Sequence, residues 1–376
     1  MKENVSERLE LLRTEMKNRN ISAVIIPQAD PHMSEYLSEH WQARRWLSGF
    51  TGSAGDLVVT LDKALLWTDS RYFLQAGQQL SGSGIVLMKD GLPDTPSITE
   101  WLTANLLGGV TVGIDSMVFS TAARAALASA LKAHNIALDG DFDVLDKIWS
   151  DRPALPKDMA LIHDIKYAGL DVTDKFAAVL DGVKKQQAES MFISALDEIA
   201  WVLNLRSRDV EYNPVMTSFL YIAPQGATLF VDPDKIDDEV AAYLKARKVT
   251  VAPYASVKDF LKSLPAEARV LVNPNGNAAA IVDALGDRAV AGTSPIALLK
   301  ACKNDVQLAG VRAAMLRDGV AMVKSLYEVQ HGVQSGAVRG RHSPPPPFGI
   351  RPVLRRKLRH NRRLRSSRSH RALRSR

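Results

Sequence analysis

Two histidines and two glutamates fall within nine residues in the stretch HMSEYLSEH: His32, Glu35, Glu39 and His40. These are donors for zinc, but the HExxH spacing is absent. His32 and His40 stand eight positions apart and share a face only on an unbroken helix, so a solvated or interface role is the preferred reading. SGFTGSAG carries Gly49, Gly52 and Gly55 in a pattern that is not GxGxxG, and it precedes a strand where a dinucleotide loop would follow one. Tight turns feeding a strand account for it. Ser53 is no nucleophile elbow, because Thr51 stands where GxSxG requires glycine. DPDKIDDE is acidic enough for calcium, yet Asp237 occupies the sixth position, where such a loop needs glycine; a helix start with carboxylates near its N-terminus fits better. In WTDSRYF, Arg71 follows a strand of buried character and sits at its end, where a guanidinium presents several donors outward. A structural salt bridge and a ligand contact both remain open for it. Cys302, the single cysteine, has no motif around it and reads as a buried thiol; one cysteine cannot make an internal disulfide, which suits the cytoplasm. These residues by themselves give no complete catalytic set.

The elements that must position them come in a repeated order. A charged amphipathic helix with Leu9, Leu11, Leu12 and Met16 leads to the strand AVIIP, a short helix around SEYL, and the adjoining strands DLVVTL and KALLWTD. A helix SRYFLQAGQQL, a strand IVLMKD, and the strand VTVGID between two helices complete a mixed α/β sandwich. IWSDRPALP reads as a linker. The plan then restarts: helix DKFAAVLDGVKKQQAE, strand SMFIS, helix ALDEIAWVLNL, strands SFLYIA and ATLFVD, VTVAPY, helix SVKDFLKSL and strand ARVLVN. Val24 and Phe192 mark an offset of about 168 residues, so a duplicated fold is expected. Residues 303–333 form a long helix that normally opens a new domain.

Of the 48 Lys and Arg, fourteen lie in residues 335–376, which hold no Asp or Glu; the remaining 34 face 41 acidic residues. The body is therefore acidic, and the pI near 9.4 reflects one segment. No run approaches the roughly 18 apolar residues of a membrane helix, and no membrane role is expected.

SEYLSEHWQARRWLSGFTGSAG, ALLWTDSRYFLQA, LMKDGLPDTPSITEWL, IWSDRPALP, ALDEIAWVLNLRSRDVEYNPV and RAAMLRDGVAMVKSLYE together resemble the three-domain Xaa-Pro aminopeptidases, or aminopeptidase P, of the creatinase and pita-bread metalloenzyme group, over about residues 5–330. The resemblance implies an α/β chain with two creatinase N-terminal-like domains (1–155 and 156–302, each a mixed sheet flanked by helices). It implies next the first helix of an incomplete pita-bread catalytic domain (303–334), then a disordered Arg/Pro-rich tail (335–376).

The activity it implies is removal of the N-terminal residue from peptides with proline second. Water activated by two metal ions, commonly manganese and held by two Asp, one His and two Glu, does the work. Homodimers and a cytoplasmic location are implied as well. Arg71 corresponds to the arginine of the family's WTD-x-RYF, which reaches the peptide site; Met315 departs from a common histidine, which is not a metal ligand. The metal-ligand segments are not found after the last helix, so no catalytic or metal residue is assigned, no metal is expected to bind this chain, and the chain is expected to be inactive alone. A frameshifted or truncated product is the preferred account of the tail. The rivals are a scaffold for substrate presentation or dimerisation, and an arm binding nucleic acid non-specifically through fourteen cations.

Overall fold

The computed structural model describes residues 2–332, which divide into two units at residues 303 and 304. The first begins with the helix Lys2–Asn18, which buries Leu9, Leu12 and Met16 on one face, whereas Leu11 falls off that face and is exposed. It packs on a six-stranded sheet built from β1 (Ala23–Ile26), β2 (Asp56–Thr60), β3 (Ala64–Thr68), β4 (Val86–Lys89), β5 (Thr111–Gly113) and β6 (Ala137–Asp139), in the order β4-β3-β2-β1-β5-β6. β2 runs antiparallel to β1 and β3, whereas β3–β4, β1–β5 and β5–β6 pair in parallel.

Both faces of this sheet are covered at its centre, so β1, β2 and β3 read as unbroken apolar runs, whereas the edge strands β4 and β6 are partly exposed. Alternate side chains divide between two cores: Val24, Leu57, Val59 and Leu66 meet the first helix, Leu47 and Phe50, while Ile25, Val58, Leu65 and Trp67 meet Trp101, Leu102, Leu127 and Leu131. The helix Ile98–Asn105, which supplies Trp101 and Leu102, starts with a capping box between Ser97 and Glu100.

A two-stranded ladder of β7 (Leu161–Ile162) with β9 (Leu205–Arg206) flanks the second sheet. That sheet comprises β8 (Ser190–Ile193), β10 (Phe219–Ala223), β11 (Gly226–Val231), β12 (Val249–Pro253), β13 (Val270–Val272) and β14 (Ala289–Ala291). Its order, β12-β11-β10-β8-β13-β14, repeats the first strand for strand, with the same parallel and antiparallel pairs. The repeated plan is as expected from the sequence.

The two repeats are stitched together by main-chain bonds between the loops and helix starts at residues 116–122 and 274–280. Thr121 and Ala122 donate to the carbonyls of Asn277 and Pro274 at 3.1 and 2.9 Å, and Ala279 and Ala280 donate back to Phe119 and Ser116 at 2.8 and 3.0 Å. Arg124 adds a two-pronged ion pair to Asp283. The IWSDRPALP segment is likewise packed down: Trp149 is buried and stacks on Trp46 at 5.0 Å, Arg152 Nε donates to the His40 carbonyl at 3.1 Å, and Lys235 Nζ donates to the Pro156 carbonyl at 3.4 Å.

Three expectations change. No helix forms at SEYL: the Asp30 carboxylate accepts from the backbone N–H groups of His32 and Ser34, Met33 takes a left-handed φ of 53°, and only a 3-10 turn at Glu39–Trp41 follows. A side chain that bonds its own backbone competes with the helix there. Cys302 is exposed, not buried, because it terminates the helix Pro295–Ala301, whose buried residue is Ile296. IWSDRPALP is a packed strap and not a free linker, for the reasons just given.

The second unit contributes the helix Asp305–Gly332, with Val311, Met315, Leu316, Val320, Val323 and Leu326 exposed along it. The expectations for residues 335–376 lie outside the described residues. Among the described residues, no helix is long and apolar enough to cross a membrane.

Candidate functional site around Arg71

β3 is buried throughout and ends at Thr68, whose hydroxyl donates to the Ala54 carbonyl at 2.7 Å and ties the strand end to the SGFTGSAG loop. The chain then turns at Asp69. Its Oδ1 accepts the Arg71 backbone N–H at 2.9 Å, an Asx turn that throws Arg71 outward before the helix Phe73–Gln79. The Arg71 side chain is 67% exposed. Its Nε and Nη2 donate to the two oxygens of Asp69 at 3.0 and 2.8 Å, and its guanidinium lies 5.3 Å from the Tyr72 ring centroid. Bonding from Arg71 holds the Asp69 carboxyl below its usual range, and Asp69 raises the guanidinium in return.

Tyr72 is fixed on three sides. Its hydroxyl bonds Ser53 Oγ at 2.6 Å, its ring meets Phe50 edge-on at 5.9 Å, and Gly52 passes so close that a Cβ there would collide with both rings. Gly55, at φ 136°, would collide with the Trp67 carbonyl. The glycines thus serve close turns, as expected. Beneath the loop Arg44 is buried, donating to the carbonyls of Phe50 and Gly52 at 3.1 and 2.5 Å and twice to Gln28 Oε1. Burial pushes its pKa down to about 10. Tyr36 and Glu35 sit within electrostatic reach: Glu35 raises the pKa of both Tyr36 and Arg71.

The HMSEYLSEH donors do not converge. His32 is buried between the sheets on Ser194 and Tyr254, His40 bonds the Pro153 carbonyl at 2.7 Å, and Glu39 pairs with Arg45 at 3.2 Å. Among the described residues no three of His, Cys, Asp and Glu gather as metal ligands. Asp237 caps the helix Asp238–Ala246 through the Val240 N–H at 2.8 Å, the helix-start reading of DPDKIDDE. Ser53 bonds a tyrosine rather than a general base. What the arrangement offers is a guanidinium donor edge on a rigid corner, suited to a carbonyl or carboxylate. The roles of Asp69 and Arg44 were missed from the sequence; the Asp-x-Arg spacing was the available signal for the first, and nothing distinguished Arg44 from Arg45.

Two sequence patterns described as Creatinase/Prolidase N-terminal domain match the chain, over residues 8–148 and 151–307. Xaa-Pro aminopeptidase 1 of Dictyostelium discoideum is 36% identical over 332 residues, covering 86% of this chain and 53% of that protein. Aminopeptidase P2 of Arabidopsis thaliana is 39% identical over 336 residues, covering 80% and 47%. An X-prolyl aminopeptidase from Caenorhabditis elegans, described as a cytosolic enzyme with a di-nuclear active site, superimposes with a TM-score of 0.82 at 31% identity, over 87% of this chain and 55% of that one. The chain spans about half the length of the curated relatives it matches.

Proposed function

Because the chain belongs to the aminopeptidase P family, with two creatinase/prolidase N-terminal domains in tandem, we propose that residues 1–303 form the substrate-presenting scaffold of an Xaa-Pro aminopeptidase. In this reading Arg71 reaches a peptide whose second residue is proline, and the bond is cut in a catalytic domain that the long helix introduces. The domain limits proposed are 1–155, 156–302 and, from 303, the opening helix of that third domain. The observation that carries the reading is the superposition of both domains on the Caenorhabditis elegans enzyme as one assembly.

The metal ions of the family, commonly manganese, would supply a hydroxide for attack on the peptide carbonyl. The dispersed donors of residues 32–40 do not fit them, so no step is assigned to metal among residues 2–332. This chain's own share is to bind and orient through Arg71. A cytoplasmic location rests on the cytosolic relative, and a homodimer on the family resemblance. The nucleic-acid reading would depend on residues outside those described, and no structural observation favours it.

The test is release of alanine from Ala-Pro-Ala with manganese added. The 376-residue chain is expected to show no turnover above the metal blank, and turnover would refute the scaffold-only role. Joining residues 1–303 to the C-terminal half of the Arabidopsis relative is expected to give activity that Arg71→Ala lowers mainly through KM. An unchanged KM would remove Arg71 from the peptide site.

A further inference from the structure

Arg71 is a cation whose charge is cancelled before any ligand arrives. Asp69 occupies the Nε–Nη2 edge of the guanidinium and also holds the turn beneath it, so one carboxylate sets both the backbone and the plane of the fork. Both partners stay ionised through the neutral range, since each stabilises the charged form of the other. Glu35 adds a second negative neighbour. The opposite edge, with one N–H on Nη1 and one on Nη2, points away from Asp69, and Nη1 has no partner among the described residues. That edge can still donate two parallel hydrogen bonds. Its attraction for an anion, however, is offset by Asp69 and Glu35. A neutral acceptor loses little by this, whereas a carboxylate loses most of the advantage a bare arginine would give it.

We propose that Asp69 is a positioning and specificity-determining residue: it aims the free edge of Arg71 at a backbone carbonyl of an extended peptide and removes the preference for a terminal carboxylate. The inference rests on the peptide-contact reading of Arg71 and deepens it, because peptides whose C-terminus lies further along are then accepted as readily as tripeptides.

The test uses the 376-residue protein labelled with 15N-arginine, with the Arg71 Nε–H signal assigned by Arg71→Lys. It is titrated with Ala-Pro-Ala and with the C-terminal amide of the same peptide. In the wild type the two dissociation constants are expected to agree within about twofold. In Asp69→Asn, whose side-chain oxygen can still accept the Arg71 backbone N–H, the free acid is expected to bind about threefold or more tightly than the amide, the scale of an exposed ion pair. That gap should close as salt rises. Asp69→Glu should keep the wild-type ratio; if Asp69→Asn fails to fold, Asp69→Ser, whose hydroxyl can still accept the Arg71 backbone N–H, is read in its place and is expected to favour the free acid in the same way. A wild-type preference for the free acid of threefold or more, or an unchanged ratio in Asp69→Asn, overturns the proposal while leaving Arg71 as a peptide contact. If neither peptide moves the Arg71 signal, the same acid-to-amide comparison is read from KM in the joined protein, where an Arg71→Ala variant with unchanged KM ends the contact reading and the proposal with it.

Discussion

His32 Nε2 lies 2.9 Å from the Tyr254 hydroxyl, and Nδ1 of the same ring lies 3.0 Å from the Ser194 carbonyl oxygen, so one imidazole bridges the two repeated domains. A carbonyl can only accept, so Nδ1 carries the proton and Nε2 accepts from Tyr254. The neutral ring is fully satisfied.

Burial, the largest cause, lowers the His32 pKa from its ordinary 6.5, outweighing Asp30 and Asp209, which raise it. The unfolded chain therefore takes up this proton at higher pH than the folded one. Stability from this group is complete above about pH 6.5 and is lost as pH falls below it, by up to about 1.4 kcal/mol per pH unit until the folded pKa is reached. Asp115, whose carboxyl burial pushes up to about 6, acts with the opposite sign in this range, so the His32 share is read as the difference in urea midpoint between wild type and His32→Gln at pH 7.5, 6.5 and 5.5. His40 and His163 are lowered too and act with the same sign, so His32→Gln is expected to flatten part of the slope. An unaltered slope would contradict the assignment.

Lys235 and Asp209 form an ion pair with both side chains buried, and Asp209 also accepts the Thr217 N–H at 2.6 Å. Lys235→Met strands a carboxylate in the interior and should cost about 3–5 kcal/mol, whereas pairing it with Asp209→Leu should cost less than the single change. Chemical denaturation of the two variants checks this; a double variant weaker than the single would rule it out.

Arg44 holds the loop on which Tyr72 and Arg71 depend. Arg44→Met leaves two loop carbonyls without their donor and should destabilise by about 2–4 kcal/mol, while Arg44→Lys should recover no more than about half, because an ammonium cannot reproduce the planar fork. The loss is expected to broaden the Arg71 Nε–H signal, which gives a reading at the site separate from the unfolding midpoint.

Most of the framework was legible because each strand carries an apolar run flanked by turn residues, and because the run of elements recurs. Val24 and Phe192 do occupy matching central strands. The failures are local and charged. The SEYL turn is decided by the Asp30 side chain bonding backbone two and four residues on, which no apolar periodicity records. Arg44 is buried beside exposed Arg45, and Lys235 is buried inside an acidic stretch that otherwise faces solvent. In both cases the partners are backbone carbonyls or residues distant in the chain. Arg71 was visible as a strand-end cation; the Asp-x-Arg spacing hinted at its pairing with Asp69, but the two-pronged clamp depends on side-chain geometry across the turn.

The same corner occurs twice. After β3 the turn is Asp69-Ser70-Arg71, and after β11 it is Asp232-Pro233-Asp234, each with the leading aspartate accepting the backbone N–H two residues on, at 2.9 and 3.1 Å. The outward residue is a cation in one copy and an anion in the other. The leading aspartate's side chain and a main-chain bond from the residue three positions on, Tyr72 to Asp69 and Lys235 to Asp232, hold each bend, and neither needs a particular side chain two positions after the aspartate. The repeated topology thus gives each half the same pedestal, carrying opposite charges in the two. Such a corner can change the sign of what it displays without disturbing the sheet beneath it.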